Sequence, residues 1–406
     1  MQLQKLSLTN FRAFKQAEFE FKPGMNLIVG INGVGKSSSL DAIRILFSQA
    51  LPQFSRSRNK KIKFRDQYIS YGYDHMVASL AFSIDGQPFT FSMDQPRDEH
   101  LGLKPNVKQV NEELKRRSNQ PLVVYYSATR SSFTLRKPDQ GFDDALIPRE
   151  MNIQRFAAWW LARKALLSEN DNQIDRKKIN ILEMVVTKFI DGYSNLKVMQ
   201  VTFQHEDKLG HITETDEIAL RINKGDAILN ILQLSDGERG MLALVLDLAR
   251  RLIDANPGLA DPLAEGRAVV LIDELDLHLH PRWQREIVQK LTTTFPNCQF
   301  IATTHSPQIV GEVLPENIII LEEGKQPYRP DQSLGMDTNW ILRFLMGTDE
   351  RNVKSRKELE RIAKLIENEE YDKAETLIDK ARVKYGETPD LVRLQSRIDG
   401  IRILGE

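Results

Sequence analysis

The stretch LIVGINGVGKSSSLDAIRIL, residues 27–46, decides how the rest of the chain is interpreted. Residues 30–37 fit the pattern G-x-x-x-x-G-K-[ST], whose glycines let backbone N–H groups turn toward phosphate oxygens. Lys36 can bridge two phosphates, Ser37 can ligate Mg²⁺, and the following helix N-terminus favours an anion. A glycine-rich turn without a ligand is the alternative, but the apolar strand before the loop and the helix after it argue for a phosphate-binding loop.

A second motif is AVVLIDELDLHLHP, residues 268–281, in which five apolar residues end in Asp273 and Glu274. An acidic residue at the tip of a buried strand can hold the Mg²⁺ shell, and a second carboxylate beside it can polarise an attacking water. Two solvated acids at a strand end would produce the same local pattern. Because the phosphate loop occurs in the same chain, we expect Asp273 to serve the metal and Glu274 to serve the water.

The polar segment QLSDGER, residues 233–239, precedes a predicted helix over residues 240–252. A serine hydroxyl, a glycine N–H and a helix N-terminus can together face an anion, which makes Ser235 and Gly237 a candidate second phosphate site. A polar turn that merely caps the helix is the alternative, because serine and aspartate favour both arrangements.

The segment QFIATTHSPQIV, residues 299–310, predicts a strand that delivers Thr303, Thr304 and His305 to its carboxyl end. A lone histidine at a strand end is usually structural. This one follows the acidic strand by a predicted helix and strand, which favours a functional role. Strands alternate with helices along much of the chain, and this alternation predicts a mostly parallel sheet covered on both faces.

These motifs, in this order, resemble ABC-type ATPases of the SMC/RecF class, and LTNFRAFKQAEFEF, residues 8–21, is similar to the opening of those proteins. The resemblance implies that Arg12 lies near the phosphates and that Asp276 belongs to the D-loop, a segment that crosses to the site of a partner subunit. His280 stands in this loop where many relatives have Asp, so communication through it is expected to differ in detail. His278 and His280 would also fit a metal pair, but no third ligand is evident nearby, so we prefer the D-loop interpretation.

The resemblance also implies roles for the other motifs. Glu274 and the switch histidine His305 would take part in hydrolysis, and Ser37 and Asp273 would hold Mg²⁺. The Ser235 segment would act as the signature that meets the γ-phosphate bound to a second subunit. The residues implied in nucleotide binding are Arg12, Gly30, Asn32, Gly33, Gly35, Lys36, Ser37, Ser38, Ser235, Gly237, Glu238 and Asp276. The glutamine of the family's Q-loop is not assigned.

A narrower resemblance is to a bacterial group often described as ATP-binding proteins involved in virulence, which includes the ATPase subunit of the Septu anti-phage system. It spans nearly the whole chain, and the segments that carry it are VVYYSATR, LQLSDGERGMLALVLDLARRL, DELDLHLHPRWQ, IATTHSPQIV and GMDTNWIL. It implies an ATPase that forms a homodimer or higher oligomer around ATP and gates a separate HNH-type nuclease subunit in anti-phage defence.

Composition bounds the other function classes. Lys+Arg and Asp+Glu both number 56, so contact with nucleic acid needs a local basic patch. One candidate patch, for which a solvated loop is the default interpretation and a phosphate-backbone contact the alternative, contains Arg56, Arg58, Lys60, Lys61, Lys63 and Arg65. The single cysteine, Cys298, excludes a disulfide framework and suits a cytoplasmic protein. No signal peptide or membrane-spanning run is evident.

The predicted fold is α/β: an ABC-type P-loop ATPase head with a mostly parallel sheet, an antiparallel N-terminal β subdomain, a helical lid insertion and a C-terminal helical extension. We expect an N-terminal ATPase lobe over 1–130, the lid over 131–200, a C-terminal lobe over 201–350 and the extension over 351–406. The charged extension could dock a partner or another copy, or pack on its own head, and the sequence favours neither. No nuclease motif is evident after Gly324, so we expect the effector chemistry on another chain.

Three functions remain open at this point. The favoured one is a homodimerising ATPase that gates a partner effector. The alternative is a RecF-like ATPase that acts directly on DNA in repair, which requires salt-sensitive DNA binding. The third is a nucleotide-locked scaffold that hydrolyses ATP slowly or not at all.

Overall fold

The computed structural model describes residues 1–56, 61–97, 112–128, 145–147, 156–162, 164, 173–206, 212–349 and 352–404. Its strands are β1 (Gln2–Phe11), β2 (Phe14–Glu20), β3 (Met25–Gly30), β4 (His75–Ile84), β5 (Gln87–Pro96), β6 (Leu122–Tyr126), β7 (Tyr193–Glu206), β8 (Ile212–Lys224), β9 (Ala227–Asn230), β10 (Ala268–Ile272), β11 (Gln299–Thr304) and β12 (Ile318–Leu321). Its helices are α1 (Lys36–Ala50), α2 (Glu112–Arg116), α3 (Gln173–Phe189), α4 (Asp236–Ala255), α5 (Pro262–Glu265), α6 (Pro281–Thr294), α7 (Pro307–Val310), α8 (Thr338–Phe344), α9 (Val353–Glu367), α10 (Tyr371–Tyr385) and α11 (Pro389–Leu404). Much of the predicted lid, together with Arg58 and Lys60 of the basic stretch, lies outside the described residues.

Five strands form a parallel sheet in the order β12-β3-β11-β10-β6. Each is buried along its whole length, as the apolar runs of a two-sided parallel sheet require. Because the strands are parallel, their carboxyl ends meet at one edge of the sheet. The residues that follow β3, β10 and β11 at this edge are those of the phosphate loop, the Asp273–Glu274 pair and His305.

A second sheet is antiparallel, with the strand order β2-β1-β4-β5. Asp85 and Gly86 join β4 to β5 with φ of 50° and 82°, the positive values that a two-residue hairpin of this type requires. Aromatic residues attach the sheet to α1, and the rings of Phe47 and Phe82 meet edge to face with centroids 5.4 Å apart. The parallel sheet and this antiparallel sheet together confirm the predicted α/β class.

The first strand contains a β-bulge between Leu3 and Lys5. A bulge inserts one extra residue and reverses the alternation of faces. It therefore explains why Leu3 is fully buried although the sequence places it out of phase with Leu8. The side chain of Gln299, at the start of β11, pairs with this bulge: its Oε1 accepts from Leu3 N at 2.7 Å and its Nε2 donates to Leu3 O at 2.8 Å. One amide thus joins the two sheets.

A third sheet has the antiparallel order β7-β8-β9. The sequence predicts strands over 196–203 and 217–222, but β7 and β8 are longer and pair from Tyr193–Lys224 to Glu206–Ile212. The short strand β9 was not predicted, and it pairs with the end of β8 nearest Lys224. Tyr193 and Lys224 form the base of the long β7–β8 pair, and Lys224 is followed in the chain by β9 and then by the signature segment.

The chain divides into two compact units, Met1–Ile341 and Leu342–Glu406. In the second unit, α9, α10 and α11 share a core of buried side chains that comprises Ile362, Ile366, Ala374, Ile378, Ala381, Leu391 and Ile398. Gly386, with φ of 78°, lies at the break between α10 and α11, and Glu369, with φ of 62°, lies in a further break between α9 and α10. None of the helices in the described part of the chain is long and apolar enough to span a membrane.

Candidate functional site

The phosphate loop lies between β3 and α1, at the carboxyl edge of the parallel sheet. Gly33 and Gly35 have φ of 87° and 106°, a left-handed conformation that favours glycine. A Cβ at Gly35 would lie 2.4 Å from the ring of Phe14, so the loop packs directly on an aromatic side chain of β2. A Cβ at Gly30 would lie 2.4 Å from Leu321 O. Close packing therefore requires the glycines at both ends of the motif, in addition to any ligand.

Lys36 is almost fully buried, and its Nζ donates to the carbonyl oxygens of Gly30 and Ile31 at 2.8 Å each. Burial lowers the pKa of Lys36 below its ordinary value. The carboxylates of Asp273, Glu274 and Asp276 act in the opposite direction but only partly offset the effect of burial. A further negative group over the loop would favour the charged ammonium.

Asp273 connects the phosphate loop to two neighbouring strands. Its Oδ1 accepts hydrogen bonds from the Ser37 hydroxyl at 3.0 Å and from the Thr303 hydroxyl at 2.7 Å. Mg²⁺ prefers hard oxygen ligands and usually takes only one or two from the protein, while phosphates and waters complete its shell. The oxygens of Ser37 and Asp273 fit that pattern. The described residues include no group of three or more His, Cys, Asp or Glu side chains suited to a metal.

Glu274 has φ of 52°, an unusual conformation for a residue with a side chain. Its N–H donates to Thr303 Oγ1 at 2.7 Å, and Leu275 N donates to Thr303 O at 2.8 Å. Thr303 thus fixes the turn that carries Glu274 and also bonds Asp273. The sequence places Thr303 at this edge but assigns it no role, and the TTH segment was the signal that could have done so.

Asp276 of the predicted D-loop and His305, the predicted switch histidine, lie together. Asp276 Oδ1 accepts from the Thr304 hydroxyl at 2.6 Å and from His305 N at 3.1 Å. His280 caps α6, because its Nδ1 accepts from Arg282 N at 3.3 Å. Aspartate, which the resemblance implies at this position, is also a strong helix cap, so the two residues can serve the same capping role. Asp276 therefore holds the backbone next to His305 in place.

Arg12 follows β1 and has φ of 50°. Its guanidinium donates to Ser38 Oγ at 2.9 Å, pairs with Asp41 Oδ2 at 3.1 Å and lies over the Tyr68 ring at 4.4 Å from its centroid. These contacts fix Arg12 beside the first turn of α1, next to the phosphate loop. The structure brings Arg12 and Ser38 together, and it adds Asp41 and Tyr68, which the sequence did not single out.

The signature segment forms the start of α4, which begins at Asp236 and not at the predicted Gly240. Ser235 and Glu238 form a capping box, in which Glu238 N donates to Ser235 Oγ at 3.4 Å and Ser235 N donates to Glu238 Oε2 at 2.9 Å. The helix cap weighed above is therefore present. A Cβ at Gly237 would lie 2.2 Å from His278 O, so Gly237 allows the helix to touch the D-loop of its own chain.

Ser235 and Glu238 are bonded in a network that involves the third sheet. The described residues that hydrogen-bond the side chains of Ser235 and Glu238 come from the same helix turn and from β7 and β8. Asn32 is exposed in the phosphate loop. The structure thus brings together Ser37, Asp273 and the residues around Thr303, and it places Ser235 in a different network.

Part of the basic stretch is engaged within the chain. The guanidinium of Arg56 donates to two backbone carbonyls of α2, at 2.8 and 3.0 Å. Lys61, Lys63 and Arg65 are exposed. Ile62, between the two lysines, is tied to α1, because its N–H donates to one side chain of that helix and its carbonyl accepts from another. The exposed cations are therefore held on an ordered segment.

The chain matches the family described as "AAA domain, putative AbiEii toxin, Type IV TA system" over residues 25–311. It is 30% identical over 387 residues to "Retron Vc95 probable ATPase" of Vibrio cholerae serotype O1 biovar El Tor, which covers 80% of this chain and 74% of that protein. It is 25% identical over 368 residues to "Septu protein PtuA" of Bacillus thuringiensis, which covers 86% of this chain and 85% of that protein. A crystal structure of an SMC head bound to the C-winged helix domain of ScpA is similar with a TM-score of 0.49 and 16% identity, over 81% of this chain and 98% of that chain.

The family match includes the phosphate loop, the signature segment, the acidic strand and His305. The match to PtuA confirms the resemblance that the motifs indicated, and the retron protein adds a relative that is named as a probable ATPase. The chain belongs to this AAA-domain family and is an ATPase.

Proposed function

We propose that this ATPase binds ATP and Mg²⁺ at the carboxyl edge of the parallel sheet, dimerises around the nucleotide, and gates a partner effector in anti-phage defence. The observation that carries the proposal is the junction at Asp273, which joins Ser37 of the phosphate loop to Thr303 of the strand before His305. The similarity to Septu protein PtuA supports the defence context, because Septu is the anti-phage system whose ATPase the motifs resemble.

The phosphate loop would bind the phosphates of ATP. Lys36 would exchange the carbonyl oxygens of Gly30 and Ile31 for phosphate oxygens, which relieves the cost of burying its charge. Ser37 and Asp273 would hold Mg²⁺. When bound, this ion neutralises charge on the phosphates and orients them for in-line attack.

Glu274 would accept a proton from the attacking water. The backbone that carries the Glu274 side chain is fixed, because the N–H groups of Glu274 and Leu275 both donate to Thr303. His305 would contact the γ-phosphate. Since Asp276 accepts a hydrogen bond from His305 N, a movement of His305 on loss of the γ-phosphate would also move the D-loop.

The second half of the site would come from another copy of the chain. Ser235 is exposed at the N-terminus of a 20-residue helix, whose partial positive charge favours an anion. Moving such a pair from almost entirely apart to almost entirely closed needs roughly 5.5 kcal/mol of differential binding. Charge-assisted contacts from two subunits to one γ-phosphate are of the strength needed.

The test is Glu274→Gln, which keeps the size of the side chain and removes its basicity. We expect ATP hydrolysis to fall by roughly 10²–10⁴-fold, because a positioned general base contributes about that much. We also expect an ATP-dependent dimer to accumulate, measured by light scattering after gel filtration. The matched control is Glu323→Gln, at an exposed acid close after β12 at the same edge. Unchanged hydrolysis in Glu274→Gln would show that the catalytic assignment is wrong.

The finer proposal is that the gated effector is a separate HNH-type nuclease subunit. The competing candidate is a RecF-like ATPase that acts directly on DNA, and the exposed Lys61, Lys63 and Arg65 on their anchored segment favour it. The two differ in DNA binding by the purified chain. Tight binding that weakens steeply with salt, together with DNA-stimulated hydrolysis, supports the DNA-acting function. Hydrolysis that is indifferent to DNA supports gating of a partner.

A further inference from the structure

Glu238 has one carboxylate oxygen bonded to the signature serine and the other bonded to the β7–β8 pair. The hydroxyl and the N–H of Ser235 both donate to Oε2, at 2.8 and 2.9 Å. Lys224 Nζ donates to Oε1 at 2.8 Å, and the hydroxyl of Tyr193 donates to the same oxygen. Four donors therefore fix the carboxylate, and two of them come from outside the helix turn.

Tyr193 and Lys224 are cross-strand partners at the base of β7 and β8. The Lys224 ammonium also lies 5.2 Å from the centroid of the Tyr193 ring, within range of a cation–π attraction. The side chain of Glu238 is 11% exposed, whereas that of Lys224 is 51% exposed. The buried carboxylate of Glu238, on α4, is therefore held from the solvent side by a cation on strand β8.

The charge on Glu238 matters for the second phosphate site. Burial by itself would raise the pKa of Glu238, but hydrogen bonds from Lys224, Tyr193 and Ser235 lower it to about 2. The side chain is thus a carboxylate at neutral pH, in direct contact with the serine that is proposed to face a phosphate. The negative charges of the Glu238 carboxylate and of a phosphate at Ser235 would repel each other, and the Lys224 ammonium offsets that repulsion.

We propose that Lys224 and Tyr193 are positioning residues of the signature. They hold and neutralise Glu238, so that the Ser235 hydroxyl can turn from Glu238 Oε2 to the γ-phosphate bound by a second subunit while Ser235 N still donates to the carboxylate. This inference rests on the proposed ATP-dependent dimer. It gives the base of the β7–β8 pair control over nucleotide-driven assembly. A movement of these strands that withdraws Lys224 would leave an uncompensated negative charge against the phosphate.

The test uses the Glu274→Gln chain, in which hydrolysis does not deplete the dimer, and measures the ATP concentration for half-maximal dimerisation by analytical ultracentrifugation. Lys224→Met is expected to raise this concentration by about tenfold, the scale of a lost hydrogen bond to a charged group. Lys224→Arg keeps the positive charge and should bring this ATP concentration most of the way back to the value of the parent chain. Lys197→Met, which removes an exposed lysine from β7, is the matched control and should leave the value unchanged.

A double variant separates the electrostatic role from a merely structural one. Lys224→Met with Glu238→Gln should recover part of the lost ATP affinity, because the uncompensated charge is gone while the amide oxygen still accepts from Ser235 N. Tyr193→Phe removes only a hydroxyl and should shift the value in the same direction by less, which keeps the proposal testable if Lys224→Met does not fold.

The outcomes distinguish this inference from the function on which it rests. If Glu274→Gln does not dimerise with ATP, the proposed dimer is wrong and the inference is overturned with it. If Glu274→Gln dimerises but Lys224→Met needs no more ATP than its parent, only the inference is wrong. A double variant no better than Lys224→Met alone would likewise overturn it.

Discussion

The two halves of the candidate site are constructed differently. In the phosphate-loop half, Ser37, Asp273 and Thr303 meet directly, because the parallel strands β3, β10 and β11 end at one edge. In the signature half, Ser235 is bonded to Glu238, which is bonded in turn to side chains of a separate sheet. The junction of Ser37, Asp273 and Thr303 forms at the edge of one sheet, whereas the signature half depends on a series of contacts between a helix and another sheet. Damage to the first should abolish chemistry, and damage to the second should weaken assembly.

The largest effect is expected from Asp273→Asn, which breaks the first half. The amide removes the negative charge beside Ser37 that would hold Mg²⁺, so hydrolysis should fall by at least about 100-fold, the scale of a few kcal/mol of lost charge stabilisation. Steady-state phosphate release at saturating ATP and Mg²⁺ measures the change. Asp331→Asn, at an exposed aspartate, is the control. A rate equal to that of the wild type would contradict the metal assignment.

A smaller effect is expected from Gly237→Ala, which changes the signature half at its contact with the D-loop. The added Cβ would lie 2.2 Å from His278 O, a backbone atom, so the helix must move. We expect the free energy of unfolding to drop by about 1–3 kcal/mol, as in other overpacked sites, and ATP-dependent dimerisation to weaken. Urea unfolding and light scattering measure both.

The matched control for Gly237→Ala is Gly258→Ala, whose Cβ would meet only side-chain atoms at 3.5 Å. This variant should unfold at the same urea concentration as the wild type. If the two glycine variants lose equal stability, close packing between the signature helix and the D-loop is not the cause.

The smallest effect is a dependence of stability on pH, which isolates Glu238. Its pKa of about 2 lies below its ordinary value of 4.5, so the carboxylate stabilises the native state above about pH 4.5, and this contribution disappears as the pH falls toward 2. The wild type should exceed Glu238→Gln by about 1 kcal/mol in free energy of unfolding at neutral pH. The difference should shrink in acid. Urea unfolding across this pH range measures it, and a constant difference would contradict the role of the charge.

The parts of the site that the sequence predicts are those whose chemistry is contiguous in the chain. The phosphate loop and the Asp273–Glu274 pair each follow a short apolar run, and both lie where parallel strands end. The start of α4 was also available from the sequence, because Ser235 followed three residues later by Glu238 is a capping-box pattern. The predicted start at Gly240 gave more weight to the apolar residues of the helix than to this cap.

The remaining contacts depend on pairings between distant segments. Tyr193 and Lys224 are 45 and 14 residues from Glu238, and only the register of β7 with β8 brings them to the same carboxylate. The burial of Leu3 likewise depends on a bulge against β4, which a single strand does not reveal. The division of the chain at residues 130, 200 and 350 stays a prediction.

Gln299 shows how narrow the permitted variation can be at a position that no motif marks. Glutamate is nearly identical to it in size, yet a carboxylate offers only acceptors and would place an oxygen against the carbonyl of Leu3, where the amide now donates. A hydrocarbon of the same length would leave both backbone groups of Leu3 unmet in a buried place. Such a change lies far along the chain from the phosphate loop. It would nonetheless weaken the contact between the antiparallel sheet, whose strand β1 precedes Arg12, and the parallel sheet, whose strand β10 precedes Asp273. We therefore expect ATP hydrolysis to be lost although every motif of the sequence is intact.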